Sequence, residues 1–478
     1  MITSLKLSGF WLNVSKLVSG TILAQVVAII LTPFIVRVYS PEAIGELNVI
    51  NSFAGLIIII VALRLERAIV LEEGINRTIL FNLCNSIVIC FVALISIVVF
   101  FFNGYFTDTF NLTNSSLVYF IPLIVLLNGL LSNTVSLNNS LQFYGIIAIG
   151  TILNSILSNV FKLSFGFLGN RTSELLYAEI TALLVTITTL IFFLKIKKGI
   201  NFFLFPDKLF VRRIFKEHDL FFKYDILTSL INNFSWLVPA FLISYYFNNT
   251  YVGYYTLGFT MLRLPMNLIG KSIGVVYYKS VASKQNNEEI ASETLNVVRT
   301  LLFFGFLPSL IVLLFGEEIF ALVFGNNWGE AGIYSEILSF WTLFWLISSP
   351  ISNLYYVLKL QKQFLIIMII SVVLRILSFV IGGYYDNVYL ALYCFSFSSI
   401  LIYLYQMFYL LDNVGAKPIN VLSSLLEELK PLLLPSVLLI VLSFLNLNIY
   451  INLGCVAIIA AFSYYKKVRK VILKKNKK

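Results

Sequence analysis

The sequence predicts an all-α polytopic membrane protein of about fourteen (12–14) transmembrane helices, arranged as two parallel-repeat lobes around a central cavity. Three observations carry that expectation. The 478 residues are 59% hydrophobic and only 12% charged, with a mean hydropathy of +0.91, whereas soluble domains run at roughly 45–50% apolar and 25% charged. The Lys and Arg residues fall in alternate connections, and the two halves open on the same pattern of polar, proline, tyrosine and glycine positions.

A spanning helix needs about 20 predominantly apolar residues. Runs of that kind, bounded by charge or by Asn, Gly and Pro clusters, occur at 12–36, 42–63, 78–102, 116–137, 142–168 and 173–195. The second half offers 224–247, 251–278, 298–324, 330–357, 363–383 and 387–411, then a short pair at 431–447 and 449–465. Reading that pair as one hairpin lowers the count to twelve. The first run continues past Pro33 to Val36 without an A-x-A cleavage site, so it is read as a span and not as a removed signal peptide. The expected organisation is therefore a six-helix N-terminal lobe (1–195), a cytoplasmic amphipathic linker (196–223), a six-helix C-terminal lobe (224–411), an extra helix pair (412–465) and a basic cytoplasmic tail (466–478).

Cytoplasmic connections retain Lys and Arg. Of the 34 such residues, 28 lie on one side of the span pattern, only Arg37 and Arg171 on the other, and Lys162, Arg263, Lys271 and Arg375 within spans. Both termini are then cytoplasmic, and the tail KKVRKVILKKNKK rests against anionic lipid at about 1 kcal/mol per charge. The linker carries Lys197, Lys198, Arg212, Arg213 and Lys216 around FFLF and LFV, the composition of an interfacial elbow. An even number of spans precedes it, so the halves share one orientation, with Pro33 matching Pro239 and Gly45 matching Gly253.

Ionisable groups at mid-membrane cost about 2.5–3.5 kcal/mol and face a cavity or a partner. Arg263 lies 12 residues past Tyr251, and Arg375 lies 13 past Lys362. At a rise of about 1.5 Å per residue both fall near the midplane. Lys271 and Lys162 are nearer helix ends, where long side chains reach the interface. Against them stand few acids: Glu179 and Glu336 in outer halves of spans, Asp225 at a cytoplasmic mouth, and Glu66 between Arg64 and Arg67. A positive excess in a cavity suits an anionic substrate, because guanidinium grips phosphate bidentately and stays charged. The plainer alternative has Arg263 or Arg375 capping carbonyls or pairing with Glu179 or Glu336. Gln25, Asn48, Asn51, Asn154, Asn232 and Asn233 suit sugar hydroxyls or interhelical bonding.

Much other chemistry has no visible machinery. Cys84, Cys90, Cys394 and Cys455 lie inside apolar runs without metal-type spacing, and His218 is the single histidine, so no metal site, disulfide framework or histidine relay is expected. The sequence holds no GxxxxGK[ST], G-x-S-x-G or H-E-x-x-H. A transporter is expected over an enzyme, with no catalytic residues, no cofactor and no nucleic-acid partner.

The segment LVSGTILAQVVAIILTPFIVRVYSPEAIGELNVINSFAGLI, followed by LRLERAIVLEE at Leu63 to Glu73, resembles the Wzx-like polysaccharide-biosynthesis flippases of the multidrug/oligosaccharidyl-lipid/polysaccharide (MOP) exporter superfamily. FFKYDILTSLINNFSWLVPAFLISYYF and VGYYTLGFTMLRLPMNLIGKSIGVVYY are similar to the family's second-half pattern. The resemblance implies a flippase of the bacterial cytoplasmic (inner) membrane. Its cargo would be a polyprenyl-pyrophosphate-linked oligosaccharide repeat unit, destined for O-antigen, capsule or a similar glycan, carried from the inner to the outer leaflet by alternating access. On that basis Arg263, with Lys271 and Arg375, holds the pyrophosphate, and Arg64, Arg67 and Asp225 line the way in. Gln25 and Asn233 meet the sugars, and Glu66, Glu179 or Asp225 couple transport to a proton or sodium gradient. Related flippases carry a basic residue five positions before the Leu-Pro proline, where this chain has Thr260, and Arg263 stands three residues on. Membrane lipids, and the polymerase and chain-length proteins of the pathway, are the implied partners. The rival readings are a small-molecule or drug exporter of the same superfamily, which would want deep acids, and a membrane polymerase or glycosyltransferase of the same pathway, which would want acids or arginines on the outer face.

Overall fold

The computed structural model describes residues 9–198, 206–219, 225–284, 286–445 and 450–462, and every regular element among them is helical. The chain divides into two compact units, Met1–Gly253 and Tyr254–Lys478.

In the first unit α1 (Gly9–Val38), α2 (Pro41–Val61), α3 (Gly74–Thr109), α4 (Phe120–Ser140), α5 (Tyr144–Gly166) and α6 (Thr172–Lys198) fall on the six expected runs. They are followed by α7 (Lys208–Glu217), α8 (Ile226–Tyr246) and the start of α9 (Asn249–Leu262). Helix α1 packs on α5, α5 on α6, α3 on α4, and α2 on both α4 and α8. Ile50, Val61, Val88, Val118 and Leu176 meet at the centre with no exposed surface. Lipid is as apolar as these side chains, so close packing and not exclusion from water holds the helices together.

Local chemistry sets the ends of α2. Ser40 is extended and its Oγ accepts from the Ala43 N–H at 3.2 Å, with Pro41 as the first helical residue. Beyond Val61 the chain turns through Leu63 (φ 53°) and Arg64 (φ 60°). Left-handed backbone at such residues costs of order 1–3 kcal/mol each and persists only where surrounding contacts enforce it. Helix α3 runs to Thr109, so the connection between the expected runs 78–102 and 116–137 shrinks to five residues before a 3-10 turn at Ser115–Tyr119.

The expected linker is a folded element where it is described. Asp207 caps α7 by accepting from the Phe210 N–H at 2.7 Å. Ile214 is fully buried, and Phe210, Val211 and Phe215 pack on Leu65, Ile69, Leu80 and Cys84. The apolar face of α7 therefore rests on the protein, in place of the lipid contact expected of an interfacial elbow. Residues 199–205 and 220–224, and the basic tail 466–478, lie outside the described residues.

The second unit holds the rest of α9, then α10 (Lys271–Ala282), α11 (Asn287–Phe324), α12 (Gly329–Ile351), α13 (Leu354–Val357), α14 (Gln361–Tyr384), α15 (Val388–Asn413), α16 (Pro418–Leu429), α17 (Leu433–Phe444) and α18 (Tyr450–Phe462). Helix α12 lies between α11 and α15, and α14 packs on α15. Helix α11 kinks at Phe315 (φ −136°). There Glu336 of α12 accepts from the Glu317 N–H at 2.8 Å, so this acid serves the backbone and not an arginine.

Among the described residues eleven helices are long and apolar enough to cross a membrane. The other three expected spans are irregular or short. The run at 251–278 stays helical throughout but is irregular: α9 ends at Leu262, Pro265 offers no donor, and a π-turn at Met266–Gly270 leads into α10. The Arg263 N–H still donates to Phe259 and the Arg263 carbonyl still accepts from Asn267, both at 3.0 Å, so the π-turn widens the helix one turn past Arg263 without breaking it. The described parts of the last pair are 12 residues (α17) and 13 (α18). At about 1.5 Å per residue each is well short of the ~30 Å hydrocarbon core.

Candidate functional site

Three groups of the expected residues come into view, two in the first unit and one in the second. The first lies where α2 ends and α8 begins. The left-handed turn at Leu63 and Arg64 brings Arg64 Nη1 within 3.5 Å of Glu66 Oε1 and Arg64 Nε within 3.6 Å of Asp225 Oδ2. Arg67 Nη1 donates to Asp225 Oδ1 at 3.0 Å. Glu66 is 7% exposed. Burial pushes its carboxyl above the ordinary range, against the lowering effect of its own backbone, Arg64 and Arg67. Asp225 pairs with both guanidinium groups and Glu66 bonds to Arg64, so these residues hold one another and close the end of the α2–α8 pair. The sequence reading, which set them out as a way in for substrate, did not foresee that they bond to each other. Asp225→Arg is expected to abolish complementation of a deletion strain, and the double variant Arg67→Asp with Asp225→Arg to restore part of it. Equal loss in the single and double variants, scored by complementation of a deletion strain, would count against the latch.

Beside this latch Glu72, Glu217 and His218 bring three ligand atoms within 4.8 Å of one another. Arg213 shares both carboxylates, at 3.6 and 3.7 Å. A fixed cation already fills the role a metal would take, and the group ties α7 to the start of α3.

The second group lies deep in the first unit. Lys162 Nζ meets Glu179 Oε1 at 2.7 Å, and Asn51 Nδ2 donates to Glu179 Oε2 at 2.9 Å. The Lys162 side chain is 16% exposed, so it turns inward to a partner and does not reach for the interface as expected. Glu179, Asn51, Asn128 and Asn154 line a cavity of about 310 Å³. The pair is part-buried, so removing one member strands the other charge at less than the cost in a fully buried pair, about 3–5 kcal/mol, whereas replacing both with apolar residues is near neutral. Lys162→Met is therefore expected to lower the thermal unfolding midpoint of the purified protein by several degrees. Adding Glu179→Leu should recover most of that loss, and a double variant no better than the single would refute the pairing.

The third group is in the second unit. Arg263 follows the last residue of α9 and its side chain is exposed. Its guanidinium carbon stands 6.0 Å from the Phe259 ring centroid. Among the described residues Arg263 makes no ion pair. Phe259 stacks on Trp341 at 5.7 Å, and Trp341 stacks on Tyr403 at 6.2 Å. Tyr403 Oη accepts from Arg375 Nη2 at 3.4 Å, and the Arg375 guanidinium lies 5.7 Å from the Phe395 ring. A continuous aromatic series thus joins the two deep arginines, and both act electrostatically on the buried Tyr255 phenol. Arg375 is 3% exposed and braces the series from behind, while Arg263 is the accessible end. Lys271 is exposed on the first turn of α10, past the π-turn. Trp341, Trp345, Tyr403 and Phe259 were missed from sequence. The available signal was two of the five tryptophans at i and i+4 in one span.

The remaining expected sugar contacts are dispersed. Asn233 returns its amide to the Ser229 carbonyl at 2.8 Å within α8, and Gln25 is half-buried on α1.

Residues 34–333 match the family model described as polysaccharide biosynthesis protein. No curated protein matches the sequence significantly. Among solved structures, the fold is similar to that of the lipid II flippase MurJ in an inward closed conformation. The TM-score is 0.70 at 15% identity, covering 94% of this chain and 98% of that one. It is also similar to an inward-facing multidrug resistance MATE family transporter of the MOP superfamily, with a TM-score of 0.58 at 15% identity over 84% of this chain and 94% of that one. An outward-facing MATE structure gives 0.52 at 13% identity, over 84% and 96%. The match over more than half its length places the chain in the polysaccharide biosynthesis protein family, as a multi-pass membrane protein with the all-helical fold of the MOP flippases and exporters.

Proposed function

We propose that this protein is a flippase that moves a polyprenyl-pyrophosphate-linked oligosaccharide, a repeat unit of O-antigen, capsule or a related glycan, from the inner to the outer leaflet of the bacterial cytoplasmic membrane. Both its termini face the cytoplasm. The observation that carries this reading is Arg263, an accessible guanidinium one turn before a π-turn in an apolar helical run, with aromatic rings behind it and no ion pair among the described residues. A charge at that depth is costly without a counter-ion, and pyrophosphate supplies one in the geometry guanidinium prefers. Lys271 adds a second positive charge, and Trp341 with Tyr403 holds Arg375 and the ring series rigid. Membership of the family and likeness to a lipid-linked flippase fold support the same substrate class. For coupling, the geometry favours Glu66: buried, held toward its neutral form and bonded to Arg64, it can exchange a proton as the latch at α2 and α8 opens.

The test is deletion of the gene followed by extraction of lipid-linked intermediates. Single finished units confined to the inner leaflet, with surface polysaccharide lost, are the expected outcome. Units that reach the outer leaflet but are not joined would point to a polymerase, and an unaltered glycan would overturn the reading.

A further inference from the structure

The end of the first unit away from the Arg64–Asp225 latch holds a cavity of about 410 Å³ that no transport step has yet used. The start of α2, the chain around the 3-10 turn before α4 and the start of α6 build it. Glu46 sets its floor. This carboxylate is 1% exposed and accepts from the Thr113 N–H and the Thr172 hydroxyl, which fixes all three segments to one another. Glu42 is one turn earlier on the same face of α2 and is exposed to the cavity. Ser40, Ser116, Asn170 and Arg171 complete the rim.

The lining discriminates between ligands. Two carboxylates oppose an anion, and the guanidinium of Arg171 in the same wall opposes a bare metal ion. Hydroxyl and amide groups that both donate and accept, beside the exposed Glu42 carboxylate able to accept hydrogen bonds from vicinal hydroxyls, suit a neutral polyhydroxylated ligand. The size falls within the usual range for small-molecule pockets, roughly 300–1,000 Å³. The connections at this end carry only Arg171, with Arg37 in the last turn of α1, whereas the connection beyond α2 at the other end carries Arg64, Arg67 and Arg77. By the retention of positive charge in the cytoplasm, the cavity opens outward.

We propose that this pocket binds the glycan part of the substrate on the outer side, receiving sugar residues as the head group leaves the spanning region and so drawing the flipped state forward. Glu42 and Asn170 are the specificity contacts, and Glu46 is the positioning residue that keeps the three segments together. The inference rests on the flippase reading and identifies where its product is held.

The test uses the full chain in intact cells, with Cys84, Cys90, Cys394 and Cys455 replaced and Ser116→Cys as reporter. The probe is the oligosaccharide hydrolysed from the cells' own surface polysaccharide. A membrane-impermeant maleimide is expected to label the reporter from outside, severalfold more slowly with the oligosaccharide present, and equal masses of dextran should not protect. Adding Glu42→Gln and Asn170→Ala should remove the protection while leaving labelling intact, which shows that the variant is folded and inserted. Labelling only after the membrane is broken, or a rate indifferent to the oligosaccharide, overturns the pocket. Accumulation of lipid-linked units in the deletion strain would then leave the flippase reading standing, whereas an unaltered glycan there overturns both.

Discussion

Gly45→Val is expected to abolish glycan export while the protein still reaches the membrane. A Cβ at Gly45 would lie 1.7 Å from the Asn249 carbonyl oxygen, and one at Gly253 would lie 1.9 Å from that of Pro41. Each glycine thus faces the backbone four residues before the other, a reciprocal crossing of α2 and α9 that no side chain can enter. Around it the Asn249 amide donates to the Phe110 and Asn111 carbonyls at 2.9 and 2.8 Å, and the Ser244 hydroxyl to Phe110 at 2.9 Å. Backbone cannot yield as a side-chain tip does, so relief requires the helices to part and break these bonds. Overpacking costs typically 1–3 kcal/mol where side chains can shift, and here the closed seam is lost instead. Helix α2 would then be held by the Arg64–Asp225 latch at one end only. Gly253→Val should behave alike, and both should raise hydrogen exchange at the nearby bonded backbone amides of Phe110, Leu112 and Phe247. Normal surface glycan with unchanged exchange in Gly45→Val would defeat this account.

Arg263→Ala is expected to cut translocation by one to two orders of magnitude at normal expression. A hydrogen bond to a charged group is worth about 1.5–3 kcal/mol, and each 1.4 kcal/mol is a factor of ten. Arg263→Lys should recover only part, because ammonium is a point charge without the fork that matches pyrophosphate. Arg263 is accessible and unpaired among the described residues, so its removal leaves no stranded partner and the unfolding midpoint should barely move. A large loss of stability, or unaltered flux, would remove Arg263 from the site. Trp341→Ala offers a contrast: its side chain is fully buried, and truncating such a ring costs about 3–5 kcal/mol, so its failure would show first as unfolding.

The helix pattern was legible because span length and hydropathy are local properties of the chain. All six runs of the first half appear as helices, and the match of Gly45 with Gly253 proved to be a physical contact. The π-turn after Leu262 was less visible: Pro265 was in plain view, but whether a proline kinks, widens or merely bends a helix depends on which neighbours take up the freed backbone groups. The two deep arginines were found from cost alone, since a charge in an apolar run stands out whatever surrounds it.

What charges do once placed was not legible. Lys162 read as snorkelling, and only the packing of α5 on α6 shows that Glu179 stands 2.7 Å away. Arg64, Arg67 and Asp225 read as an open way in, and only the closing of α8 on α2 makes them a latch. The aromatic series between Arg263 and Arg375 draws on α9, α12, α14 and α15, and no window along the chain contains it. By itself, then, the sequence determined that this chain crosses the membrane many times, roughly where it does so, and that Arg263 and Arg375 stand within apolar runs of its second half. Those facts follow from transfer free energies, which depend on residue type. The tertiary structure decided which charges are spent on one another and which remain for a ligand, because pairing depends on distances of 3–4 Å that only packed helices fix.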